Sequence, residues 1–230
     1  MEPSRFFQIY VVLLLFGVLY SILALKILKR GTKKINILLS GFFLCCAVAT
    51  LLNLIYATII NEFIVSILYL LTNSFLAYSL IFILNFTLML DKSKTLISNK
   101  LMFLLFSVYA FAIFLSWFIP NGVIINKETD WKPVWSDTYF FYLFFITLFI
   151  PITPSIVMSI KIYTRLKDNV IRKRWRFFTV GIIFACLLYQ GAMVSHFLND
   201  PIFRSLWAII SFFLVVLSSL FMYYGVGRHL

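Results

Sequence analysis

The sequence predicts an all-α integral membrane protein, a single domain over residues 1–230 folded as a seven-transmembrane helix bundle with the N-terminus outside and the C-terminus inside. Three observations predict it. First, the chain is 63% hydrophobic and 12% charged, with a mean hydropathy of +1.01, whereas soluble domains carry about 25% charged residues. Second, its apolar residues form long runs, and about 20 such residues cross ~30 Å of hydrocarbon as a helix. Third, its Lys and Arg residues sit between the runs and divide unevenly between the two sides. Such a chain is too apolar to stay disordered in water. Its runs are too long, and too apolar on every face, for barrel strands of about ten alternating residues.

The elements follow in order. The first span is 6–28, with Arg5 before it and Lys26, Lys29, Arg30, Lys33 and Lys34 at its far end. A cleaved signal peptide has the opposite charge order and a small-residue cleavage site, so this segment reads as a retained helix. The next run, 35–90, contains one charged residue, Glu62. As one helix its 56 residues would reach about 84 Å, too long for one crossing. It must fold back, and Asn61-Glu62 is the polar turn, giving spans near 35–60 and 63–90. The fourth span, 101–119, ends at Pro120-Asn121-Gly122, a turn signal. The fifth is 138–160. The sixth, 177–198, stops at Asn199-Asp200-Pro201, where the seventh, 202–224, begins.

Sixteen of the twenty Lys and Arg residues fall in 26–34, 92–100, 161–176 and at Arg228; only Arg5, Lys127, Lys132 and Arg204 fall on the other side. The positive-inside rule then puts the sixteen in the cytoplasm, making this a multi-pass protein of the cell membrane. The acids Glu2, Glu62, Glu128, Asp130, Asp137 and Asp200 lie on the opposite side. In a soluble chain a net charge of +12 would suggest nucleic acid. Basic segments this close to a bilayer are instead orientation signals and headgroup contacts, and no nucleic-acid partner is expected.

Acids and bases inside a membrane are the usual functional clue, because each is costly in lipid. No Asp, Glu, Lys or Arg lies at the centre of a span, which argues against proton pumping or charge-relay transport. Residues 205–224 carry no lysine to hold a retinal-type chromophore, and no cofactor is expected. Cys45, Cys46 and Cys186 lie inside apolar runs; they read as packing residues, although Cys45 and Cys186 fall at similar depths. No metal-ligand cluster, nucleophile–base pair or phosphate loop occurs, so neither a metal site nor an enzyme is expected.

Neutral polar residues carry the candidate site. Asn53 and Tyr56 share a helix face. Ser66, Tyr69 and Asn73 form a stripe on the third span. Tyr189, Met193 and His196 form one on the sixth, with Gln190 about 100° around from Tyr189. The plain reading is interhelical hydrogen bonding. The functional reading is a ligand pocket open to the outside, lined by Asn53, Tyr56, Tyr69, Asn73, Tyr189, Gln190 and His196. Asp200 follows His196 by one turn, a spacing that would suit a pH-sensitive latch. Trp131 and Trp135 in the 120–137 loop read as headgroup anchors before they read as a pocket cap. Pro151 and Pro154 predict a kink in the fifth helix, either a hinge or a static bend, with Thr153 and Ser155 placed to satisfy freed carbonyls. Arg165, Lys167, Arg172, Lys173, Arg174 and Arg176 are candidate contacts for anionic lipid or a cytoplasmic partner, with topological anchoring as the plainer reading.

Two stretches carry a resemblance. RKRWRFFTVGIIF at 172–184 is a basic run entering a glycine-bearing apolar helix, and LFMYYGVGRHL at 220–230 is a final helix with a tyrosine-aliphatic-arginine-histidine-leucine exit. With the seven-helix layout, they make the chain resemble the N-terminal seven-transmembrane sensor region of membrane histidine kinases. No phospho-accepting histidine domain or ATP site occurs in the sequence. The resemblance therefore implies a stand-alone sensor module, a piece of a longer chain, or a relative that signals through a separate partner. It transfers no ligand residues. The expected function is a receptor-like sensory module that binds a small or lipidic ligand from the outer side and signals by helix movement to a cytoplasmic partner. The alternatives are a small transporter, channel or transporter subunit, and a structural or assembly protein. The expected partners are membrane lipids with anionic headgroups, a cytoplasmic signalling protein, and a second copy of the chain in a homo-oligomer.

Overall fold

A computed structural model describes residues 7–91 and 98–228. It is an all-α bundle of seven long apolar helices, consistent with a multi-pass membrane fold. In chain order they are α1 (Ile9–Leu28), α2 (Lys34–Tyr56), α3 (Glu62–Asp91), α4 (Asn99–Phe118), α5 (Asp137–Arg165), α6 (Asn169–Leu198) and α7 (Pro201–Val226). Glu2, Arg5, residue 6, Lys92, Lys94 and the last two residues of the 220–230 motif lie outside the described residues.

Local chemistry sets the helix ends. Asp168 caps α6, its carboxylate accepting from the backbone N–H groups of Val170 and Ile171 at 2.7 and 3.1 Å. Asp200 caps α7 by accepting from Phe203 N–H at 2.8 Å. Ser98 and Ser136 do the same for α4 and α5. Such caps satisfy amide groups that the first helical turn leaves orphaned. Asn199 ends α6 in the left-handed conformation at φ 51°, a C-terminal stop that asparagine tolerates.

Three boundaries differ by four residues or more from those expected, one being the end of α5, at Arg165 and not 160. α2 ends at Tyr56, not 60, because residues 57–61 turn through backbone bonds from Ala57, Thr58 and Ile59 to Asn53, Ile55 and Tyr56. α6 begins at Asn169, not 177. The Asp168 cap starts the helix, and Trp175 packs inward at 6% exposure, so the basic stretch 169–176 is helical. The 119–136 loop also contains β structure that was not anticipated: β1 (Val123–Ile124) pairs antiparallel with β2 (Val134–Trp135), in the register Val123 to Trp135.

The bundle turns polarity outward-in. Large apolar side chains face out, among them Phe63, Phe103, Phe111 and Phe213 at 74%, 74%, 62% and 59% exposure. A water-soluble protein would bury such a surface. Small polar residues such as Thr147, Ser155, Ser159 and Ser218 are buried between helices. α6 and α7 approach most closely where side chains vanish. A Cβ on Gly181 would lie 2.8 Å from Met222 N and 3.1 Å from Ser218 O, and one on Gly225 would lie 2.6 Å from Phe178 N. Small residues permit such backbone contact in membranes.

Alternating helix direction collects the basic segments at one end. There Asp91, with its side chain 3% exposed, binds Lys161 at 3.2 Å and Arg165 at 2.7 Å. Lys34 donates to Asn99 at 2.6 Å, and Arg30 donates to Tyr223 at 2.9 Å. The opposite end holds the α2–α3 turn, the β1–β2 loop and the α6–α7 turn. Arg204 ties that end together, donating to Pro133 O at 2.7 Å and Ser195 O at 3.3 Å.

Candidate functional site

At the end opposite the basic segments, α1, α2, α3, α6 and α7 enclose a cavity of about 220 Å³. Trp131, Lys132 and Pro133 of the loop also line it. Its lining runs from His196 to Ala185 on α6 and from Arg204 to Val215 on α7. That is an axial extent of roughly 16 Å at about 1.5 Å per residue.

Four of the seven residues expected in a pocket line this cavity: Asn53, Tyr56, Tyr189 and His196. Tyr69 and Asn73 form the wall behind it. Trp135 Nε1 donates to Tyr69 Oη at 2.6 Å, Asn73 Nδ2 donates to Tyr139 Oη at 3.1 Å, and Tyr189 Oη donates to Asn73 Oδ1 at 3.4 Å. The Tyr69 ring meets those of Tyr56 and His196 edge-on, with both centroid separations 5.9 Å. This chain of bonds joins α3, α5, α6 and the loop strand β2, and a connected network fixes polar groups that would be costly if left unpaired.

Gln190 stands apart. One residue round the helix from Tyr189, its Nε2 donates to Thr147 Oγ1 of α5 at 3.0 Å. Its Oε1 is buried without a hydrogen-bond partner. Thr147 immediately precedes Leu148–Ile152, where α5 is wound as a π-helix around Pro151. Pro151 and Pro154 thus sit at a local widening of α5, a common form of kink. Ser155 Oγ donates to Pro151 O at 2.5 Å; Thr147 Oγ1 bonds Leu143 O at 2.8 Å and Phe144 O at 3.2 Å.

Two readings of single residues need correction, those of Trp135 and of the His196–Asp200 pair. Trp135 is no headgroup anchor: the β1–β2 pairing turns it inward, to 4% exposure, against Tyr139 and His196. His196 and Asp200 form no ion pair among the described residues, since the Asp200 carboxylate caps α7. The His196 ring instead lies between Tyr69 and Trp135, and its Nδ1 is buried without a hydrogen-bond partner. Cys45, Cys46 and Cys186 are all free thiols, with no bridge between Cys45 and Cys186.

Sequence reasoning missed Tyr20, Tyr139, Arg204 and Trp207 as parts of this region. Tyr20 Oη lies 3.2 Å from Ser218 Oγ at the cavity's deep end. Aromatic residues are too frequent in this chain for any one to stand out. Arg204, the lone base at the start of the last span, was the available signal.

At the basic end, Arg165 is held by Asp91 and Arg172 lies 4.7 Å over the Tyr163 ring. Lys167, Arg172, Lys173, Arg174 and Arg176 are exposed. Trp175 Nε1 donates to Ser159 O at 2.7 Å, and the Ser159 and Thr179 hydroxyls are 2.7 Å apart, so this part of α6 is pinned to α5. No group of three His, Cys, Asp or Glu side chains able to hold a metal occurs among the described residues.

The chain matches no protein-family model, and no curated protein matches it.

Proposed function

We propose that this protein is a membrane sensory module that takes a small or lipidic ligand into its cavity from the outer side and signals through α5 and α6 to a cytoplasmic partner. The orientation follows the positive-inside rule, which puts the basic end in the cytoplasm and the cavity end outside. The observation that carries the reading is the continuity from cavity wall to basic end. Tyr189 lines the cavity; its neighbour Gln190 holds Thr147, at the edge of the π-wound turn in α5. Below that turn, α5 is bonded to the basic part of α6 through Ser159 and to α3 through Asp91. A ligand that displaces Tyr189 would load the π-wound turn of α5 through Gln190 and Thr147, and helix shifts of about 1–2 Å are the ordinary scale of such switches. The resemblance to the sensor regions of membrane histidine kinases, carried by 172–184 and 220–230, agrees with this reading.

The test uses protein in lipid nanodiscs, with the native cysteines replaced and a single cysteine at Lys173. Ala192→Trp fills the cavity from α6. The expected result is a change of at least about twofold in the thiol-labelling rate at position 173, with the fold retained by circular dichroism. An unchanged rate contradicts the coupling.

A further inference from the structure

The polar groups of the cavity lining differ between its two ends. In the deep half they are already satisfied within the bundle. Tyr20 Oη lies 3.2 Å from Ser218 Oγ, Ser79 donates to Leu76 O at 2.6 Å, and Ser211 donates to Ala208 O at 2.9 Å. Around them stand apolar side chains such as Val12, Phe16, Leu80 and Val215. At the end beneath the loop the situation reverses. Asn53 and His196 line the cavity there, three and two residues from the ends of α2 and α6. No described residue hydrogen-bonds the Asn53 amide, and His196 Nδ1 is buried without a hydrogen-bond partner. Lys132 and Arg204 of the same lining are engaged. Arg204 donates to the carbonyls of Pro133 and Ser195, Lys132 pairs with Asp130 at 3.4 Å, and both have further contacts. They tie the loop to the bundle.

Hydrogen-bonding groups shut away from water without partners are costly. Two of them at one end of an apolar shaft mark where a polar head belongs. A primary amide both donates and accepts, and an imidazole does the same through its two ring nitrogens. A hydroxyl, itself donor and acceptor, answers both. A charged head buried there would need a free counter-charge, and neither basic residue supplies one. The apolar shaft continues along the helices for most of roughly 16 Å, and it favours burial of a hydrocarbon tail.

We infer that the cavity binds an uncharged single-chain amphiphile with a hydroxyl head, the head lying between Asn53 and His196 and the tail directed toward Tyr20 and Val215. This deepens the sensory reading by naming its ligand class, and rests on that reading for the consequence of binding, not for the site.

The experiment measures saturable binding of tritiated dodecanol to the nanodisc-embedded protein by scintillation proximity, with uptake by empty nanodiscs subtracted. Unlabelled dodecanol should displace it. Dodecane, with the same tail and no head, and dodecanoate, with a charged head, should each compete about tenfold less well. Asn53→Leu should weaken binding about tenfold, the effect of one lost hydrogen bond. His196→Phe keeps a ring between Tyr69 and Trp135 and should act in the same direction, and Ala192→Trp should abolish binding. Circular dichroism checks that each variant keeps its fold. Equal competition by dodecane, stronger competition by dodecanoate than by dodecanol, or unchanged binding in both polar variants overturns the proposal. Stronger displacement by monolauroylglycerol than by dodecanol points to an acylglycerol of the bilayer, and the reverse to an alcohol arriving from outside; both bear out the hydroxyl head. The thiol at position 173 separates this site from the sensory reading. Saturable dodecanol binding without a labelling change overturns the sensory reading alone. A labelling change in Ala192→Trp without dodecanol binding overturns the hydroxyl site alone.

Discussion

Trp135 shows how one hydrogen bond organises the cavity end. Its Nε1 meets Tyr69 Oη at 2.6 Å, and its ring packs on those of Tyr139 and His196. The bond fixes β2 to α3 and so fixes the loop over the cavity. Tyr69→Phe should lower stability by about 1–3 kcal/mol, because a buried indole N–H loses its partner. It should also speed amide exchange in residues 123–135. Thermal unfolding and hydrogen-exchange measurements check this; an unaltered loop would show that the contact is incidental. Asn53, Tyr56, Tyr189 and His196 were legible as cavity-lining residues because polar residues sharing a helix face in an apolar span turn away from lipid. The inward turn of Trp135 was not legible. Its direction depends on the pairing of Val123 with Trp135, and a tryptophan beside a membrane span reads equally well as a headgroup anchor.

The helices were largely readable as elements, and their ends less so. Hydropathy locates the hydrocarbon crossing, not the helix. The basic turns at 169–176 look like a loop by hydropathy, yet Asp168 caps them and buried Trp175 anchors them. Residues 57–61 are mostly apolar and look like helix, yet the backbone turns there. Gly181 and Gly225 bring the backbones of α6 and α7 together, and Gly191 makes room for the Trp207 ring. Gly181→Leu forces a side chain into the Met222 backbone and should cost about 1–3 kcal/mol or more, the usual range for overpacking. Leu187→Phe, at a position 51% exposed on the same helix, should change stability by less than about 0.5 kcal/mol. Denaturation in mixed micelles compares the two; equal effects would refute close backbone packing as the source of α6–α7 stability.

At the scale of the whole molecule, the charge asymmetry and the cavity belong to opposite ends of one bundle. The basic end is knitted by Asp91, Asn99 and Tyr223, while the other end encloses a space lined by apolar side chains with Asn53, Tyr189, His196 and Arg204 among them. The count of seven helices follows from runs whose length cannot be accommodated otherwise. The cavity does not follow from any run, because it arises where five helices fail to meet. The most direct measurement is labelling of single cysteines by a membrane-impermeant maleimide in intact cells. The account predicts that a cysteine at Lys127 reacts from outside, and that one at Arg172 reacts only after the membrane is opened. Labelling of position 172 in intact cells, with position 127 protected, would contradict the orientation and with it the outward-facing cavity.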